Sequence, residues 1–198
     1  MKKYVAECVG TFALTLTVAL SLSGTFPVST PVLAGLVLML FVYSIGSISG
    51  THINPAVTVG VWSIGKIKPA DAIGYLVAQF LGAWIAMLIV KAALPTVATL
   101  VIGTGVKIGI AEALGMFFFT FGITSVIYGK TPKDISGVVV GGSLLLGITI
   151  AALLGSNGML NPAVAFGINS FGLMYVLGPL VGSVLGMMVY KHLGGESS

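Results

Sequence analysis

The sequence predicts an all-α membrane protein in which six transmembrane helices enclose two half-length, re-entrant helices arranged as an inverted internal repeat. Three observations predict it. Of 198 residues, 57% are apolar and 7% charged, with a mean hydropathy of +1.11. Several apolar runs reach about 20 residues, the length a helix needs to cross a hydrocarbon core. The tetrapeptide Asn-Pro-Ala-Val occurs twice, at Asn54 and at Asn161, each time opening an apolar stretch too short to cross. A soluble domain with so few charges would aggregate, so the bilayer is the implied solvent.

The elements follow in order. Spans are expected at 4–23, 31–49, 69–91, 106–128, 135–154 and 172–192. The first starts behind Met1-Lys2-Lys3 and superficially has the layout of a signal peptide. It holds Glu7 and is long enough to span, so it reads as a retained helix. The segments 54–63 and 161–170 fall between spans and extend for only about ten residues, half of what a crossing requires. Lysine placement orients the chain. With the N-terminus in the cytoplasm, Lys2, Lys3, Lys66, Lys68, Lys130, Lys133 and Lys191 fall inside, and only Lys91 and Lys107 outside. That bias obeys the positive-inside rule and places both termini in the cytoplasm.

A repeat underlies this layout. "AECVGTF" at Ala6–Phe12 matches "AEALGMF" at Ala111–Phe117, and Glu7 and Glu112 precede Asn54 and Asn161 by 47 and 49 residues. The halves are 1–91 and 106–193, joined by a connector over 92–105, within one domain of residues 1–198. Three spans per half force the second copy to insert upside down. Such repeats build their site at the bilayer midplane, where the halves meet.

Asn-Pro suits that place. A helix that ends inside the membrane leaves about four N–H groups without partners. Proline at the first helical position removes one donor and presets the backbone. Asparagine caps the next with its side-chain oxygen, which leaves its amide NH₂ pointing outward. Two such tips facing each other bring two amide donors and two positive dipole ends to the centre. A small alanine, Ala56 or Ala163, lets them touch. A water molecule there only accepts hydrogen bonds, which interrupts a proton wire, and the dipoles repel cations.

With "SGTHINPAVTVG" at 49–60, "LNPAVAFG" at 160–167, "AQFLGA" at 78–83 and "GPLVG" at 178–182, the chain resembles the aquaporin, or major intrinsic protein, family over nearly its whole length. The resemblance implies a right-handed bundle with one pore per subunit, commonly a homotetramer. It also implies roles residue by residue. Asn54, Pro55, Ala56, Asn161, Pro162 and Ala163 form the pore centre. The carbonyls of Gly50, Thr51 and His52 line one mouth, and those of Asn157, Gly158 and Met159 the other. Glu7 and Glu112 accept hydrogen bonds from the re-entrant loops, a scaffold role preferred here to proton relay. His52 is also a candidate titrating gate.

The largest departure from the family pattern concerns the position after the second Asn-Pro-Ala. Members commonly carry arginine after the second Asn-Pro-Ala; here it is Val164, and all nine basic residues are lysine. Counting by register, the remaining filter positions fall on Ala34, Thr149 and Gly158. A small, weakly polar set predicts a constriction wide enough for glycerol, urea or neutral metalloid acids as well as water. An apolar ring can also dewet and slow water.

Other features read as packing. Small residues recur every four positions at Gly74, Ala78, Gly82 and Ala86 and at Gly178, Gly182 and Gly186, a spacing for close helix approach in lipid. The run "MFFFTF" at 116–121 is expected to face lipid or a neighbouring subunit. The lone Cys8 excludes an intrachain disulfide, and two distant histidines give no metal site. No cofactor is implied, the scattered lysines give no nucleic-acid surface, and no nucleophile–base set suggests an enzyme. Two rivals remain in view: an ion- or proton-coupled transporter, which also uses broken helices, and a non-conducting membrane-junction protein. The expected setting is a multi-pass protein of the plasma (inner) membrane.

Overall fold

The computed structural model describes residues 1–24 and 26–194. Thr25 and 195–198, which the single-domain reading includes, lie outside the described residues. Among the described residues, eight α-helices follow in chain order: α1 (Lys2–Ser23), α2 (Thr30–Ser49), α3 (Pro55–Ser63), α4 (Pro69–Ala93), α5 (Val106–Ile127), α6 (Ser136–Leu153), α7 (Pro162–Gly167) and α8 (Met174–Gly194). A single 3₁₀ turn, Lys133–Ile135, leads into α6. Six of the helices are long and apolar enough to cross a membrane. The expected second half-helix, 161–170, is shorter than its pattern suggested. Asn169 takes a left-handed φ of +54°, and the Ser170 N–H donates to the Ala165 carbonyl, closing α7 early.

Polarity runs opposite to that of a soluble protein. Glu7, Thr11, Thr15, Gln79, Glu112, Thr120 and Thr124 are wholly buried, whereas Val77 is 66% and Val181 53% exposed. Lipid solvates the outside, so the polar groups turn inward, where most find partners while Thr15 Oγ1 and Gln79 Oε1 do not.

Glycine determines how closely the long helices approach. α8 packs on α5, and α4 on α1. At Gly182 a Cβ would overlap the Ala113 carbonyl of α5, and at Gly82 one would overlap the Cys8 carbonyl of α1. Backbone therefore meets backbone at both seams, as small-residue stripes allow in lipid. Gly182→Val is expected to push α5 and α8 apart and cost about 3 kcal/mol or more, the upper range for overpacking. The check is a thermal melt in detergent with yield of monodisperse protein; an unchanged melt would refute close packing here.

The half-helices interlock the bundle. α3 packs on α8, beyond its own half of the sequence, and α7 packs on α4 and α1. Each tip is thereby carried to the middle by helices of the other half.

Candidate functional site

The two tips meet. Asn54 is extended (φ −158°, ψ 121°) and caps α3, its Oδ1 accepting from the Ala56 N–H at 2.8 Å. Asn161 caps α7 likewise, Oδ1 accepting from Ala163 and Val164 N–H at 3.1 and 3.3 Å. Pro55 and Pro162 occupy the first helical positions.

The amide groups are not wholly left over. Asn54 Nδ2 donates to the Leu160 carbonyl at 2.9 Å, and Asn161 Nδ2 donates to the Ile53 carbonyl at 3.0 Å. Each asparagine thus ties its own helix tip to the opposite loop with one of its two N–H bonds, and one remains for a permeant. The sequence reading missed this reciprocal tie, because nothing local to either motif reports on a partner more than a hundred residues away.

The loops are held by buried carboxylates. Glu7 Oε1 accepts from Ser49 Oγ (2.7 Å) and the His52 N–H (2.9 Å), and Oε2 from the Ile53 N–H (2.6 Å) and Gln79 Nε2 (2.8 Å). Glu112 accepts from Ser156 Oγ and from the Met159 and Leu160 N–H groups, the last two at 3.0 and 2.8 Å. Ile53 and Leu160 are bulky residues at positive φ, +38° and +49°. Such backbone is costly. It aims their N–H groups at the carboxylates and their carbonyls at the opposite asparagines.

Two cavities flank the tips. One of about 260 Å³ is lined by Asn54, Asn161, Ala34, Val164 and the stretch Asn157–Met159, among others. The other, about 360 Å³, is lined by Gly50, Thr51, Tyr75 and Lys66 among others. His52 borders both, Nδ1 lying 3.1 Å from Thr58 Oγ1 and the ring meeting Tyr75 edge-on at 5.0 Å. Neither Glu7 nor Glu112 lines either cavity.

Two expectations need correcting. Thr149 does not reach the cavity: it is exposed, and its hydroxyl bonds back to the Leu145 carbonyl at 2.8 Å. Ile148, one position earlier and about 100° around the helix, lines it instead. The "MFFFTF" run does not turn wholly outward, since Phe119 is buried and faces the same cavity. The connector also contributes to this mouth. Leu100 lines the cavity, and Asn157 Nδ2 donates to the Val101 carbonyl at 2.9 Å and to Tyr175 Oη at 3.1 Å.

Among known proteins, the family described as "Major intrinsic protein" matches residues 1–190. Aquaporin AqpM of Methanothermobacter thermautotrophicus is 31% identical, over 98% of this chain and 98% of its own. Glycerol uptake facilitator protein-like 6 of Lactiplantibacillus plantarum is 35% identical, over 99% of this chain and all of its own. In fold, the aquaglyceroporin from Plasmodium falciparum superposes with a TM-score of 0.67 at 21% identity, covering 97% of this chain and 94% of that one. Two asparagine-capped half-helices joined tip to tip between two cavities, in a chain matched almost end to end, make this protein a member of the major intrinsic protein family.

Proposed function

We propose that the chain conducts water and small uncharged solutes passively across the membrane, through a wide filter without arginine. The observation that carries this is the pair of tied tips, each with one amide N–H to spare, between cavities that open toward opposite ends of the bundle. A permeant accepting from Asn54 and Asn161 in turn is oriented but not held, which suits flux rather than storage. The two helix N-termini disfavour cations at the same point.

The filter is assigned to Ala34, Ile148, Gly158 and Val164, which line one cavity. With Ile148 in place of Thr149, no side chain of the ring offers a hydrogen bond. Solutes with a hydrocarbon edge, such as glycerol, suit an apolar wall better than urea does. The names of the relatives, aquaporin and glycerol uptake facilitator, support both water and glycerol as permeants. Coupled transport is disfavoured because both buried acids are occupied by loop donors and stand away from the cavities. The two halves, 1–91 and 106–193, act as one inverted repeat. Lysine placement supports both termini lying in the cytoplasm; family membership supports a homotetramer as the working unit, set in the plasma (inner) membrane.

Stopped-flow light scattering of proteoliposomes tests this. Water and glycerol permeability are expected to rise well above empty vesicles, with glycerol ahead of urea. Rapid water flux with glycerol excluded would refute the wide filter; a flux that needs a proton gradient would refute passive conduction.

A further inference from the structure

The two half-helices finish alike except for one charge. At the end of α3, the Gly65 N–H donates to the Trp62 carbonyl at 2.9 Å and the Lys66 N–H to the Val61 carbonyl at 3.0 Å, with Gly65 at φ +77°. At the end of α7, Asn169 donates to Phe166 at 3.1 Å and Ser170 to Ala165 at 2.9 Å. Both are Schellman turns, and Lys66 and Ser170 occupy the same place in them. Ser170 is wholly buried, its Oγ accepting from the Leu100 N–H at 3.0 Å. Lys66 is exposed at the far cavity's mouth, with Nζ 4.8 Å from the centroid of the Tyr128 ring.

Among the described residues lining the two cavities, Lys66 is the one charged side chain. We propose that Lys66 is a charge-selectivity residue of this pore, a cation barrier set at one mouth of an otherwise uncharged path. The inference rests on the reading of the chain as a passive pore. The negative end of the α3 dipole favours an ammonium there, and the Tyr128 face holds it by a cation–π contact. A fixed charge beside a low-dielectric opening focuses its field into that opening. The nearest opposing acid in sequence, Asp71, is already paired with Lys3 at 2.7 Å and accepts from Tyr4 Oη at 2.8 Å. Asp134, Lys130 and Lys133 belong to the loop after Tyr128 and line neither cavity.

The test uses the full chain in liposomes, with sodium entry read by a trapped fluorescent indicator and glycerol flux by light scattering in the same vesicles. Lys66→Met keeps the aliphatic stem over Tyr128, Lys66→Glu reverses the charge, Lys66→Arg restores it, and Lys68→Gln controls for surface charge. At about 0.01 M ionic strength, where the screening length is about 30 Å, sodium entry is expected to rise roughly threefold in Lys66→Met and roughly tenfold in Lys66→Glu. Lys66→Arg is expected to match wild type. At about 1 M salt the differences are expected to vanish as screening shortens to about 3 Å. Unchanged sodium entry in Lys66→Glu with glycerol flux retained overturns the inference and leaves the pore standing. An equal rise in Lys68→Gln overturns it too, by assigning the effect to surface charge at large. Absence of water and glycerol flux in wild type overturns the pore reading and this inference with it.

Discussion

Glu7→Leu is expected to yield little folded protein and no measurable flux. Glu7 accepts four hydrogen bonds, two of them from the His52 and Ile53 N–H groups of the loop that carries Asn54. Leucine leaves those donors buried and unpaired, at about 1–3 kcal/mol each, in a fold whose total margin is of order 5–15 kcal/mol. It also releases Ile53 from its left-handed φ of +38°, so the carbonyl that Asn161 grips swings away. Glu112→Gln is the milder companion. It keeps one acceptor oxygen for the loop and is expected to retain transport with a lower melting temperature. Size-exclusion profiles, melts and glycerol flux on the same preparations check both. Normal folding of Glu7→Leu would show that the loop is set by something else, and a pH-dependent wild-type flux lost in Glu112→Gln would restore a proton-relay role.

The second large effect concerns selectivity. Val164→Arg is expected to lower glycerol permeability roughly tenfold, about 1.4 kcal/mol of added barrier, while reducing water flux less. Val164 is 4% exposed, its N–H accepted by Asn161 Oδ1 and its side chain lining the cavity of about 260 Å³. A guanidinium there narrows the opening and adds a positive charge to a cavity lined, among the described residues, by no charged side chain. A paired comparison locates the ring: Ile148→Ala should speed glycerol, and Thr149→Ala, whose side chain faces outward, should leave it unchanged. Undiminished glycerol flux in a folded Val164→Arg protein would place the constriction elsewhere.

Much of this architecture was legible from composition and motif. The long helices start and stop within a few residues of the expected spans, because apolar length and flanking Gly, Pro and Lys define them. Asn54 and Asn161 announced their capping role through the residue after them. What failed was phase. Between α6 and Asn161 the chain passes Gly155, Gly158 and Leu160, all at positive φ, so residue counting back from Asn161 carries no helical register and landed on Thr149 instead of Ile148. Phe119 failed differently. A run of aromatics in a membrane helix gives no sign of which ring turns inward. Lys66 looked like one more topogenic lysine until the turn closing α3 placed it at a cavity.

The crossed asparagine bonds carry a consequence for biogenesis. While the first half of the chain is being inserted, the Ile53 carbonyl and one Asn54 N–H have no mates, because those mates, Asn161 and Leu160, have not yet been synthesised. The centre therefore sets late and all at once, like a clasp whose two hooks are useless singly. A ribosome stalled before Leu160 leaves no working half-conduit, only an unfinished one.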